Sequence, residues 1–140
     1  MQLTFCTERL RFPVSDKLKE ILQTVVSAIP ISKQVKAVTV IFRDRTYSPT
    51  LGGFHPVEIR LLVKKGVYRF DYITDFSYQG HGDMVELVKE IDFNFIAQTT
   101  FHLYSGNHKA ENTVALFNLW QTNFISYVEM DVFNVEVTEN

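Results

Sequence analysis

Cysteine is all but missing from this sequence. Cys6 is the only one in 140 residues, so no disulfide can close within the chain and no thiolate cluster can hold a metal. An excess of positive charge is missing too. Fourteen Lys and Arg stand against 16 Asp and Glu, a net charge of −2, which withholds the basic field that attracts nucleic acid or an anionic membrane. Long apolar runs are absent as well. The longest charge-free stretch, Asn112 to Val128, is interrupted by Asn118, Gln121, Thr122, Asn123 and Ser126, and the N-terminus carries Glu8, Arg9 and Arg11 where a signal peptide needs an apolar segment. Neither secretion nor a membrane span is supported, and a cytoplasmic setting is expected. Glycine is sparse and clustered at Gly52-Gly53, Gly66, Gly80 with Gly82, and Gly106. With no repeat, low-complexity stretch or linker between these points, the chain reads as one domain, 1–140.

Aromatic residues are present in quantity: twelve Phe, six Tyr and one Trp. Each can bury about 150–250 Å² of surface, so a chain of this length can build its core without metal, crosslink or structural cofactor. From Ser15 onward, Leu18, Ile21, Leu22, Val25, Val26 and Ile29 recur at helical spacing. Ser15 caps this helix, Asp16 suits its positive end and Pro30 stops it. Residues 36–45, 57–64 and 67–76 alternate and are rich in β-branched side chains, and only Lys65-Gly66 separates the last two, which predicts a hairpin. A two-residue loop sets Val63 against Tyr68, Leu61 against Phe70, Ile59 against Tyr72 and Val57 against Thr74, all facing the core. The outer face then carries Arg43, Arg60, Arg69 and Asp71, with Glu90 and Asp92, as a lattice of mixed charge. Residues 86–95 fit a strand better than a helix, because Ile91, Phe93 and Phe95 alternate with Asp92 and Asn94. Residues 96–107 show no clean period and read as irregular. A second helix begins near Glu111 or Asn112 and runs to about Val128, followed by a strand over 130–137. That helix has no charge on either side, so a covering segment or a partner is expected on its outer face, and Gln121 or Asn123, if buried, needs hydrogen-bond partners. The predicted fold is α+β: an antiparallel sheet of four to five strands with two main helices packed on one face.

Three segments, Gly52-Gly53-Phe54-His55-Pro56-Val57-Glu58-Ile59, Tyr72-Ile73-Thr74-Asp75-Phe76, and Leu119-Trp120-Gln121 with Asn123-Phe124 and Tyr127, resemble an uncharacterised family of short bacterial proteins classed as a domain of unknown function. The likeness spans roughly Val38 to Val137. It implies a bacterial source and a small α+β domain, and it brings no activity and no catalytic residues.

The connection from Arg45 to Pro56 is long for neighbouring strands, and Tyr47, Pro49, Gly52, Gly53, Phe54 and His55 give it the look of a shaped loop. Its glycines can serve positive φ, Phe54 the core and His55 a strand end; alternatively the loop rims a pocket or partner surface with Tyr47 and His55 as polar contacts. In a second loop, His81 and Asp83 flank Gly82, with Asp75 shortly before, a set that suits a metal or acid–base chemistry only if His55, His102 or His108 joins it. No Gly-x-Ser-x-Gly turn, Walker spacing or dinucleotide glycine pattern occurs. Arg43, Arg45, Lys64, Lys65 and Arg69 alternate with Asp44, Glu58 and Asp71, which cancels much of a nucleic-acid-binding field. The reading is a non-enzymatic interaction module, self-associating or binding a protein partner through the 45–56 loop or the second helix. Tyr47, Phe54, His55, His81, Asp83 and Trp120 are its candidate binding residues, and no cofactor is expected. The alternatives are a small-ligand-binding domain with its pocket between helix and sheet, and a metal-dependent hydrolase using His55, His81 and Asp83.

Overall fold

The computed structural model describes residues 2–140 and runs β1 (Thr4–Phe5), α1 (Asp16–Ser27), β2 (Ala37–Arg43), β3 (Val57–Lys64), β4 (Val67–Gln79), β5 (Glu86–Asn94), β6 (Thr99–His102), β7 (Gly106–Lys109), α2 (Val114–Glu129) and β8 (Asn134–Glu139). Short 3₁₀ turns occupy Gly82–Met84 and Ala110–Asn112. The class is α+β, with two helices and one large, mainly antiparallel sheet, but the sheet has eight strands rather than four or five. Its order is β7-β6-β5-β4-β3-β2-β8, and β1 lies parallel to the start of β4. The additional strands are short. β6 and β7 come largely out of a segment whose side chains show no period, and pairing of β6 to β5 and of β7 to β6, rather than side-chain pattern, makes them strands.

The hairpin corner is as tight as the sequence requires. Lys65 and Gly66 take φ of 51° and 75°, the left-handed pair of a two-residue turn. Val63 pairs with Tyr68 and Leu61 with Phe70. The expected register then breaks. Arg60 pairs with Tyr72, so Asp71 is an extra residue on β4, a β-bulge. Beyond it Ile59 meets Ile73 and Val57 meets Asp75, in place of Tyr72 and Thr74. Phe70 is buried as predicted, whereas Tyr72 turns to the outer face and donates its hydroxyl hydrogen bond to Glu58. The bulged Asp71 reaches Arg60 at 2.6 Å. A second bulge follows on β5, where Asp75 pairs with Ile91 and Phe76 with Lys89, leaving Glu90 as the extra residue.

Both helices pack on the core face of the sheet. Ser15 Oγ accepts the Leu18 N–H at 3.1 Å, and Leu18, Leu22 and Val26 are buried. Phe117, Trp120 and Phe124 of α2 join the same core, and each ring so buried contributes about 1.5–3 kcal/mol. The segment before α1 covers part of α2: Phe12 is fully buried against Phe93, Phe95 and Phe117. There the buried Gln121 is satisfied, accepting from Ser15 N–H at 2.8 Å and donating to the Pro13 carbonyl at 3.1 Å. The opposite side of α2 is open, with Leu119 60% exposed.

Candidate binding cavity

The connection between β2 and β3 is held in a defined shape by Asp44. Its Oδ1 accepts from the Thr46 N–H and hydroxyl at 2.9 and 2.6 Å, and its Oδ2 accepts from the Phe54 N–H at 3.0 Å. These donors, Phe54 foremost, hold the Asp44 carboxyl below its ordinary range. Ser48 and Gly52 exchange backbone hydrogen bonds at 3.1 and 3.0 Å. Gly53 has φ of 132°, and a Cβ there would meet Asp44 Oδ2 and Tyr47 Cα at 2.9 Å, so only glycine lets the chain pass. The loop thus delivers Phe54 and His55, both half-buried, to the end of the sheet facing α2. Tyr47 stands behind them. Its ring lies 5.4 Å from that of His55, and its hydroxyl accepts the Tyr78 N–H at 3.0 Å.

Asp75 is the centre of the site. Without the Asp71 bulge its side chain would lie on the outer face; with it, the carboxylate points inward and its side chain is only 12% exposed. His55 Nδ1 donates to Asp75 Oδ1 at 2.8 Å, and the Trp120 indole N–H donates to Asp75 Oδ2 at 3.0 Å. The second bulge brings Glu90 to the same side as Ile91, and Glu90 Oε2 lies 3.9 Å from His55 Nδ1. Its place on the outer face, predicted from strict alternation, is corrected accordingly. The hydrogen bond to Asp75 raises the His55 pKa above its ordinary value, and the Asp75 and Glu90 charges reinforce this against the burial that lowers it.

Around these groups lies a cavity of about 330 Å³. Asp75, Glu90 and Ile91 line its sheet side, Trp120, Phe124 and Tyr127 its helix side, and Phe54 and Phe133 close the rest. The rings form a chain: Trp120 to Phe124 at 5.0 Å, Phe124 to Phe133 at 5.7 Å, Phe133 to Phe54 at 6.4 Å, and Phe54 to Tyr127 at 4.7 Å. Of the residues singled out in the sequence, Phe54, His55 and Trp120 meet here, while Tyr47 supports His55 from outside the lining. His81 and Asp83 sit exposed beside and within the Gly82–Met84 turn and contribute nothing to the cavity. The sequence does not mark Glu90 or Tyr127 as site residues, and it offers Asp75 only as a companion of His81. One atom each from His55, Asp75 and Glu90 lie within 4.8 Å of one another, close enough to ligate one divalent ion once His55 gives up its proton.

A family model described as a protein of unknown function, DUF2787, matches residues 16–138. The chain belongs to that family. The three segments on which the family resemblance was drawn all reach the same cavity of this DUF2787 domain: Gly53, Phe54, His55 and Val57 from the first, Asp75 from the second, and Trp120, Asn123, Phe124 and Tyr127 from the third. Among solved structures, the domain is similar to the hypothetical protein VC0508 from the VSP-II pathogenicity island of Vibrio cholerae, with a TM-score of 0.88 and 32% identity over 99% of this chain and 100% of that one. It is also similar to the conserved hypothetical protein VC1805 from pathogenicity island VPI-2 of Vibrio cholerae, with a TM-score of 0.82 and 32% identity over 96% and 99%. The latter is described as sharing structural homology with the human P32 protein. No curated protein matches the chain.

Proposed function

We propose that this DUF2787 domain is a non-enzymatic, cytoplasmic binding module whose ligand occupies the cavity between the 44–56 loop and α2. One observation carries the reading: two bulges and a glycine-dependent loop converge on a largely buried carboxylate at the base of an aromatic pocket. Bulges re-aim side chains at the expense of regular pairing and are enriched beside functional sites. The volume lies at the lower end of the ~300–1,000 Å³ usual for ligand pockets, which suits a compact molecule. The half-buried, unpaired Cys6 is in keeping with a reducing compartment.

A thermal-shift screen of small metabolites tests this reading. Ligands that raise the melting temperature of the wild-type protein lose that effect in Phe54→Ala and Tyr127→Ala. A screen in which no compound acts, or in which both variants respond as the wild type does, counts against the cavity.

A protein partner or second copy of the chain is the second reading. It is favoured by Leu51 on the loop and Leu119 on the open side of α2, which are 88% and 60% exposed. Solution mass measured against concentration, for the wild type and a Leu51→Ser, Leu119→Ser double variant, separates self-association from a monomer.

A further inference from the structure

We propose that the cavity selects a compact organic ammonium ion, an alkylated or quaternary amine, through its chain of aromatic rings and the carboxylate of Glu90; the inference rests on the cavity being the ligand site. The charges decide the class. Both oxygens of Asp75 are already engaged, one by His55 at 2.8 Å and one by the Trp120 indole at 3.0 Å. Protonated His55 and ionised Asp75 therefore make a pair without net charge. Glu90 remains, its carboxylate 3.9 Å from His55 Nδ1 and accepting no hydrogen bond among the described residues. One negative charge is thus left over beside a wall of Trp120, Phe124, Phe133, Phe54 and Tyr127. Anions are repelled by that carboxylate. An uncharged ligand would desolvate it further with only His55, already bonded to Asp75, to offset its charge.

An organic cation uses both features, because aromatic rings attract alkylammonium groups through their quadrupoles, Trp most strongly, and the carboxylate supplies the counter-charge. A divalent metal would use only part of the site. It would have to displace the proton that joins His55 to Asp75, and the rings would give it nothing. Two other cavities lack this combination: the one beside Arg9 and Arg69 carries Glu8 among basic groups, and the one beside Lys19 has Phe5 as its single ring.

The test uses the full chain with two probes of nearly equal shape, choline and its uncharged carbon counterpart 3,3-dimethylbutan-1-ol. Binding is followed by calorimetry and by the Trp120 indole resonance. Choline binds one per chain and shifts that resonance, and the uncharged counterpart binds at least about tenfold more weakly, the equivalent of ~1.4 kcal/mol. Glu90→Gln weakens choline by about the same factor and does not weaken the uncharged probe. Phe54→Ala, at the half-buried rim, weakens choline as well and serves if the Glu90 variant is unstable. Equal binding of the two probes, or binding of uncharged screen compounds but not choline, overturns the ammonium inference and leaves the cavity as a ligand site. One Zn²⁺ per chain in the absence of choline binding overturns it in favour of a metal on His55, Asp75 and Glu90. If nothing binds at all, the cavity reading falls together with it.

Discussion

At the residue scale the two oxygens of Asp75 tie the loop to the second helix, one bonded to His55 and one to Trp120. Trp120→Phe removes the donor to Oδ2 from a carboxylate almost out of water, which costs about 1–3 kcal/mol. The measurement is a lowered urea midpoint with an unchanged slope. His55 adds a pH dependence whose sign follows from the direction of its shift. Its pKa in the folded protein lies above the ordinary 6.5, so the stabilisation by protonated His55 is complete below about that pH and is lost as pH rises through the raised value. Melting temperatures of wild type and His55→Gln should therefore differ most on the acid side of that interval and converge on its alkaline side. A difference that stays constant across the interval contradicts the pairing. Tyr72, by contrast, faces outward. Burial and the neighbouring Glu58 push its phenol up, so it stays protonated and donates to that carboxylate throughout the range in which His55 titrates.

At the element scale the 44–56 loop and the 65–66 turn make opposite demands on glycine. Gly53→Ala sets a Cβ against Asp44 Oδ2 and Tyr47 Cα and forces an alanine to φ of 132°, a loss of about 1–3 kcal/mol that also disturbs Phe54 and His55. Gly66 has φ of 75° and open space around it, so Gly66→Asn should change the unfolding free energy by less than about 1 kcal/mol. Chemical denaturation of the two variants side by side checks the contrast. The same scale explains what the sequence reveals and what it hides. The α1 stripe with its Ser15 cap, the bounds of β3, the turn and β5 are legible because apolar period, capping residue and tight corner agree. β1, with two residues, and the short strands β6 and β7 are not, since Thr99–His102 and Gly106–Lys109 acquire strand geometry from their neighbours. Neither bulge can be located by alternation. Tyr72, Ile73 and Thr74 all suit a strand, and one extra residue at Asp71 exchanges the faces of everything after it. The candidate site is accordingly half legible: Phe54, His55 and Trp120 announce themselves by type and setting, while Glu90 is hidden by its bulge and His81 with Asp83 form a solvated turn.

At the scale of the whole molecule the two faces of the sheet divide the labour. The outer face is a lattice of partly buried polar contacts, with Arg60 on Asp71, Tyr72 on Glu58 and Thr74 on Asp92, and cross-strand pairs of this kind contribute about 0.2–1 kcal/mol each. No helix among the described residues is long and apolar enough to cross a membrane. The inner face carries the core, and at the end of that core Asp75, Glu90, His55 and Trp120 meet in one cavity. Trp120 is the sole tryptophan of the chain, so its indole N–H gives a single, unambiguous signal in a ¹⁵N-resolved spectrum. Hydrogen exchange and pH titration of that signal test the account most directly. The hydrogen bond to Asp75 predicts slow exchange with solvent and one inflection in the chemical shift above pH 6.5, as His55 loses its proton on the other oxygen of the same carboxylate. Exchange as fast as in a free indole, with a shift that ignores pH through this range, would contradict it.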